Sequence, residues 1–242
     1  MDWGDGTINR ETSHTYKYDP NKKTTMLRVK GDIKKADETR SVFDENTAFV
    51  LIQIGKHVTS CAGMFEGCKK ILSVDQNAFL QADQLTDCSN MFRGCEHLMF
   101  VNDSMHGRNS RVTTIDGMFS GCKELEWIQD DQFNNMKHLV SASSVFLDCS
   151  NLVHGAGELF DGCTNLVDVS SLFENCVKLW LPIRGMFKGC AKLENIDSMF
   201  SIDDALEETS ESMIDRIPET LFWECRKLRT ANKAFYNRRH LR

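Results

Sequence analysis

Hydrophobic pairs recur along this chain at one unvarying interval. Met64-Phe65, Met91-Phe92, Met118-Phe119, Val145-Phe146, Leu172-Phe173 and Met199-Phe200 each lie 27 residues from the next. Stretches rich in polar and turn-forming residues separate the pairs. A fixed period in the range of about 20–50 residues predicts a stacked array of units. Each unit buries its apolar side against its neighbours, and the product is an extended surface suited to binding.

Written in register, the repeat shows which positions face inward. Seven residues before each phenylalanine stand Val58, Leu85, Val112, Leu139, Leu166 and Leu193; four before it stand Cys61, Cys88, Ile115, Ala142, Val169 and Ile196. Both columns are apolar throughout and read as core. Two residues after it come Gly67, Gly94, Gly121, Asp148 and Asn175, types that tolerate a left-handed backbone and stop a short helical turn. Leu98, Leu125, Leu152 and Leu179 follow, opening a short strand. A second phenylalanine falls 14 residues after the first (Phe79, Phe133, Phe160, Phe187), with His106 in its place in the second unit. Each 27-residue coil therefore has two inward corners. The predicted fold is a flattened α/β solenoid of short parallel strands and helical turns, spanning residues 50–200. With strands about 4.8 Å apart, six coils stack to roughly 30 Å, and the open ends need caps.

Ten cysteines are present, and eight of them (Cys68, Cys95, Cys122, Cys149, Cys163, Cys176, Cys190 and Cys225) stand three residues after a phenylalanine. They follow the repeat rather than a pairing scheme. A small buried hydrophobe is the first reading of each. A disulfide between coils and a metal site stay open beside it, although no C-x-x-C pair supports zinc.

The strings Val58-Thr-Ser-Cys-Ala-Gly-Met-Phe-Glu-Gly-Cys68 and Val112-Thr-Thr-Ile-Asp-Gly-Met-Phe-Ser-Gly-Cys122 resemble the unit of the BspA-like leucine-rich-repeat family. The resemblance covers residues 50–242. It implies a leucine-rich-repeat-like fold and a binding role toward host proteins or other cells, as in the mostly microbial surface proteins of that family. It names no ligand. Asp2-Trp-Gly-Asp-Gly-Thr7, Ser13-His-Thr-Tyr16 and Met26-Leu-Arg-Val-Lys-Gly31 resemble a PKD-type β-sandwich, of which residues 1–49 could hold only part. A small antiparallel β cap on the first coil, or a truncated module, is the expectation there.

The period breaks after Phe200. Ser201 to Thr220 is an acidic insertion carrying Asp203, Asp204, Glu207, Glu208, Glu211, Asp215 and Glu219. The motif resumes at Leu221-Phe222-x-x-Cys225, read as 22 residues on instead of 27, and opens a last repeat and basic C-terminal cap over 221–242. From Arg226 to the end there are seven Lys or Arg and no acid. Three accounts stand: a solvated loop with a polar cap, pairing of insert and tail within or between chains, and contact of the tail alone with nucleic acid or an anionic surface.

Bulk composition trims the functional choices. Hydrophobic residues make up 41% and charged residues 26%, which allows a packed core and argues against wholesale disorder. A net charge of −6 argues against generic nucleic-acid binding. No apolar run reaches about 18 residues, so membrane insertion is not expected. The first residues lack the basic and apolar regions of a secretory signal. A cell-surface or extracellular site follows from the resemblance alone, with a virion or the cytoplasm as alternatives. G-x-S-x-G, H-E-x-x-H and P-loop motifs are missing. The histidines are scattered and the cysteines occupy core columns, where a thiol is inert. No enzyme activity, cofactor or metal is expected.

Two functions compete. A binding module would recognise a protein or glycan through exposed aromatics outside the core register, for which Trp127, Trp180 and Trp223 are candidates, although lining the core is their plainer role. An assembly subunit, for instance of a phage particle, would self-associate through 201–242, using Asp203, Asp204, Glu207, Glu208, Arg238 and Arg239. An intracellular protein that senses or inhibits a partner is a third reading. The register itself is testable. Phe119→Asp places an unpaired charge in the core and is expected to abolish the cooperative thermal transition; melting like that of the wild type would refute the column assignment.

Overall fold

The architecture follows from where successive backbone amides go. The computed structural model describes residues 26–29, 51–74, 78–101, 111–155, 157–180, 185–206, 216–239 and 241. In the first coil, Met64, Glu66 and Cys68 donate locally to the carbonyls three residues back, at 3.0, 3.3 and 3.0 Å. Cys61, Gly63, Phe65 and Gly67, alternating with them, donate instead to Asp87, Ser89, Met91 and Arg93 of the next coil, at 2.7–2.8 Å. The same alternation recurs through the later coils. In the fourth, Ala142, Ser144, Phe146 and Asp148 reach Asp168, Ser170, Leu172 and Glu174.

This alternation corrects the expected helical turns. An α-helix spends every amide within itself, whereas here every second amide leaves for the next coil. Among the described residues the corners are tight turns, with no helix. Left-handed residues make this geometry. They stand two after the phenylalanine, at Gly67, Gly94, Gly121, Asp148 and Asn175, as the column predicts. They also stand two before it, at Gly63, Asn90, Gly117, Ser144, Ser171, Ser198 and Lys233. Gly63, Asn90 and Gly117 carry a sequence signal for it, but Ser and Lys have little left-handed preference, so from Ser144 onward this second column gave none.

Regular strands are short. β1 (Met26–Val29) pairs in parallel with β2 (Leu51–Ile54), and β3 (Ser73–Val74) pairs in parallel with β4 (Phe100–Val101). Elsewhere single residues pair from coil to coil in parallel: Ser60, Asp87, Thr114, Ser141, Asp168, Asn195 and Thr230 form one ladder. The expected antiparallel β cap is therefore corrected: β1 lies parallel to β2 and extends the stack's own direction. Beyond β1, the stretch that resembles a PKD module lies outside the described residues.

Two columns of phenylalanine fill the centre. Phe65, Phe92, Phe119, Phe146, Phe173, Phe200 and Phe235 stack with ring centroids 5.3–5.8 Å apart. Phe133, Phe160, Phe187 and Phe222 form the second column at 5.7–6.0 Å. Phe146 also meets Phe133 at 6.4 Å, joining the columns. Deleting one such ring costs about 3–5 kcal/mol in a well-packed core. The Val58 and Cys61 columns are fully buried, as expected.

The rings also correct the register of the last coil. Phe222 stacks on Phe187 and so belongs to the second corner; the residue that follows Phe200 in the first column is Phe235. Both steps take 35 residues where the earlier steps take 27, so the insertion is eight residues long and leaves both columns intact.

All ten cysteines are free and buried. Their thiols have a specific task. Cys95, Cys122, Cys149 and Cys176 each donate to the carbonyl of the first-column phenylalanine one coil earlier, at 3.1–3.2 Å. Cys163 and Cys190 do the same in the second column. In the last coil the equivalent position is Arg238, which is buried. Its Nε donates to the Phe200 carbonyl at 2.7 Å and a terminal nitrogen to the Cys176 carbonyl at 3.2 Å. Arg238 thus closes the thiol column with charge-assisted bonds.

Burial pushes the Cys163 and Cys176 thiols up to about 12 and that of Cys225 up to about 11, from an ordinary 9.0. Burial likewise raises Cys88, Cys95, Cys122, Cys149 and Cys190. Above 9.0 the unfolded chain releases thiol protons that the folded chain keeps, so unfolding gains from rising pH. The stabilisation is complete below that value and is lost as pH climbs through 11 and 12. Under reducing conditions, the urea midpoint is expected to fall steeply above pH 9, and less steeply in a Cys163→Ala/Cys176→Ala variant. Equal slopes for the two proteins would contradict this.

Candidate binding surface

One strand segment of each coil turns bulky apolar side chains outward. In β3 and β4 the inward residues Val74 and Val101 are buried, and Ile128 continues them in the next coil. Outward and in register, Phe100 pairs with Trp127 and Trp127 with His154. The residues just before form the adjoining row: Met99 donates to Leu72, Glu126 to Met99, Val153 to Glu126 and Trp180 to Val153, at 2.9–3.1 Å. Phe100, Trp127 and Trp180 are 40, 42 and 44% exposed, and Leu72 is 53% exposed. His154 meets the Trp180 ring edge-on at 5.0 Å, a favoured aromatic geometry. Glu126 supplies the carboxylate of this face.

Gly155 sets the level of this face. It takes the place of Val74, Val101 and Ile128 with a φ of +106°, and any Cβ there would drive into the Ile128 carbonyl. A side chain is excluded, so the backbone carrying His154 is drawn close beneath Trp127.

The other strand segment of each coil has different chemistry. Its outward rows run Thr59, Thr86, Thr113, Val140 and Ser60, Asp87, Thr114, Ser141, and Thr86 and Thr113 return hydroxyl bonds to carbonyls of the preceding coil. The corners carry ion pairs between coils, with Glu96 held between Lys69 (3.6 Å) and Lys123 (3.4 Å). Bonding to Lys123 and the charge of both lysines draw the Glu96 carboxyl below its usual value.

The three candidate tryptophans, Trp127, Trp180 and Trp223, are at the surface, not in the core. Trp127 and Trp180 share the aromatic face. Trp223, 79% exposed, follows Phe222 at the second corner of the last coil and is not part of it. Asp203 exchanges bonds with Asn175, its Oδ2 accepting at 3.0 Å and its amide donating at 2.9 Å. Asp204 accepts from Asn237 and Tyr236 at 2.9 and 2.8 Å, and these bonds hold its carboxyl below the ordinary value. Arg238 is the buried cap described above, and Arg239 is exposed. Glu207 and Glu208 lie outside the described residues. Phe100, Leu72, Met99 and His154 escaped the sequence reading. The signal was there: Phe100, Trp127 and His154 lie 27 residues apart, in a column that varies too much to read as core. Among the described residues, no three His, Cys, Asp or Glu side chains cluster to hold a metal ion, and no helix is long and apolar enough to cross a membrane.

Coils paired to their neighbours along the chain define a repeat solenoid. The family model described as "Mycoplasma protein of unknown function, DUF285" matches residues 21–133 and 86–213, and the chain belongs to that family. No curated protein matches it. Among solved structures, the chain is similar to a leucine-rich repeat protein of T. pallidum at 18% identity and a TM-score of 0.32, covering 78% of this chain and 92% of the other. It is similar to one from Bacteroides ovatus at 17% and 0.26, covering 98% and 70%. A leucine-rich cell surface protein from Faecalibacterium prausnitzii follows at 16% and 0.21, covering 86% and 90%. The solenoid described here rests on its own coil-to-coil pairing, not on these superpositions.

Proposed function

We propose that the protein is a non-enzymatic binding module whose aromatic face recognises a protein or glycan on a cell surface. The observation that carries this reading is the outward row of Phe100, Trp127 and His154, joined by Trp180 and Leu72. Large half-exposed aromatics grouped on one rigid face are what binding hot spots are made of, and a contiguous apolar surface marks an interaction site. The flat repeat supports the reading too, because it holds these side chains at fixed spacing before any partner arrives, which lowers the ordering cost of binding. The resemblance to BspA-like repeats points the same way. The raised thiol pKa values speak against cysteine nucleophiles, since a protonated buried thiol is unreactive.

The assembly reading draws less support. Two of its proposed contacts, Asp203 and Asp204, are engaged by Asn175, Tyr236 and Asn237 of the same chain, and Arg238 is buried. The deciding experiment screens immobilised cell-surface glycoproteins and glycans with the wild type and a Trp127→Ala/Trp180→Ala variant. Saturable binding by the wild type, weakened about a hundredfold in a variant that melts normally, is the expected result. A ligand bound equally by both proteins would place recognition elsewhere.

A further inference from the structure

The aromatic face carries a carboxylate that no cation answers among the described residues. Glu126 lies between Met99 and Val153 in its row, beside Trp127. Its amide donates to the Met99 carbonyl at 3.1 Å, and its own carbonyl accepts from the Val153 amide at 3.1 Å. The backbone is thus held on both sides. The side chain is exposed, and among the described residues no hydrogen bond or ion pair reaches its carboxylate. Lys123, three residues earlier, turns to Glu96 at 3.4 Å and shares it with Lys69 at 3.6 Å. Other carboxylates of the coils have their partners: Glu124 meets His97, Asp161 meets Lys188 and Glu194 meets Arg229.

The charge around Trp127 has mostly one sign. From Lys123 to Asp131 the chain carries four acids, Glu124, Glu126, Asp130 and Asp131, and one base. Residues 50–200 hold 18 Asp and Glu against 12 Lys and Arg, a net of −6 for the coils alone. The rings stand within this field: Phe100 and Trp127 are neighbours in one row, and Trp180 lies two coils beyond Trp127 in the adjoining row.

We propose that this face binds an arginine-bearing basic segment of another protein, with a guanidinium laid over the Trp127 ring and paired to Glu126. The proposal rests on the reading of the aromatic face as the binding surface, and names its ligand. Cations are drawn to the face of an aromatic ring, tryptophan above all. A planar guanidinium stacks on such a ring while its fork engages a carboxylate, a combination that an ammonium does not match. The arginine's methylenes would cover Met99 and Phe100, and Phe100 and Trp180 offer rings to further basic residues of the same segment. The acidic coils steer a basic partner toward the face. A neutral glycan has no charge with which to answer Glu126, and an acidic one would be repelled by it. The chain's own basic stretch, 226–242, fits less well as occupant, because Arg229 pairs with Glu194 and Arg238 is buried.

The test is fluorescence anisotropy on the full chain with three fluorescein-labelled peptides: alternating Arg and Gly, Lys and Gly, and Glu and Gly. The arginine peptide should bind saturably and about threefold or more tighter than the lysine peptide, with no binding of the glutamate peptide. Glu126→Gln and Trp127→Ala/Trp180→Ala should each weaken the arginine peptide about tenfold while melting like the wild type. Asp83→Asn removes the same charge from an exposed position ahead of the other strand segment and should leave binding unchanged. Equal affinity for the arginine and lysine peptides, or equal losses in Asp83→Asn and Glu126→Gln, would mean bulk charge alone and would overturn the proposal. So would a stable dimer that Glu126→Gln dissolves, since the occupant would then be a second copy. The two readings fail separately. A cell-surface ligand weakened by Trp127→Ala/Trp180→Ala but bound as tightly by Glu126→Gln as by the wild type overturns the arginine assignment alone; ligands indifferent to both tryptophans overturn the face itself.

Discussion

Backbone amides in each coil have two destinations, and they alternate between them. One amide closes a tight turn three residues back; the next crosses to the following coil. Everything else follows from this division. It forbids helix, because a helix leaves no amide for the neighbour. It fixes the coils one strand-spacing apart, so equivalent side chains must stack on their own copies. A phenylalanine that packs well on itself is therefore selected at every repeat, and the rings lie within 10° of parallel from Phe65 to Phe200. The thiol three residues later adds a bond from one coil to the phenylalanine carbonyl of the coil before.

How much of this the sequence displayed depended on whether a residue's job was visible in its type. Core columns were legible because burial restricts them to apolar side chains. Left-handed positions after the phenylalanine were legible where Gly, Asp or Asn stand. Those before it were legible only at Gly63, Asn90 and Gly117, because Ser144, Ser171, Ser198 and Lys233 adopt a conformation that their types do not advertise. The same limit explains Phe222. Its Phe-x-x-Cys spacing is shared by both corners, so local sequence could not tell them apart; only the ring beneath it does. The helical turns were misread because a left-handed stop fits a helix end and a pair of linked turns equally well.

The binding surface was half legible. Tryptophan attracts notice, yet a lone exposed tryptophan and a core tryptophan read alike until the strand is oriented. Trp127 and Trp180 become meaningful only when Phe100, His154 and Leu72 are seen beside them, and Gly155 is seen to set the level of the sheet. Arg238 illustrates the reverse. Its charge placed it among surface candidates, while its position in the thiol column places it inside. A repeat makes position a better guide than type: the guanidinium donates to Phe200 because the slot it fills is one where thiols donate.

The central claim concerns hydrogen bonds that cross from coil to coil, and these can be observed one at a time. Long-range nitrogen–carbonyl couplings measured through hydrogen bonds by NMR would link the Phe92 amide to the Met118 carbonyl, Phe119 to Val145 and Phe146 to Leu172. The account predicts all three correlations, and in the same spectrum local ones from Cys95, Cys122 and Cys149 to the carbonyls three residues before. Correlations from Phe92, Phe119 and Phe146 to carbonyls four residues earlier would mean helical corners and would contradict it.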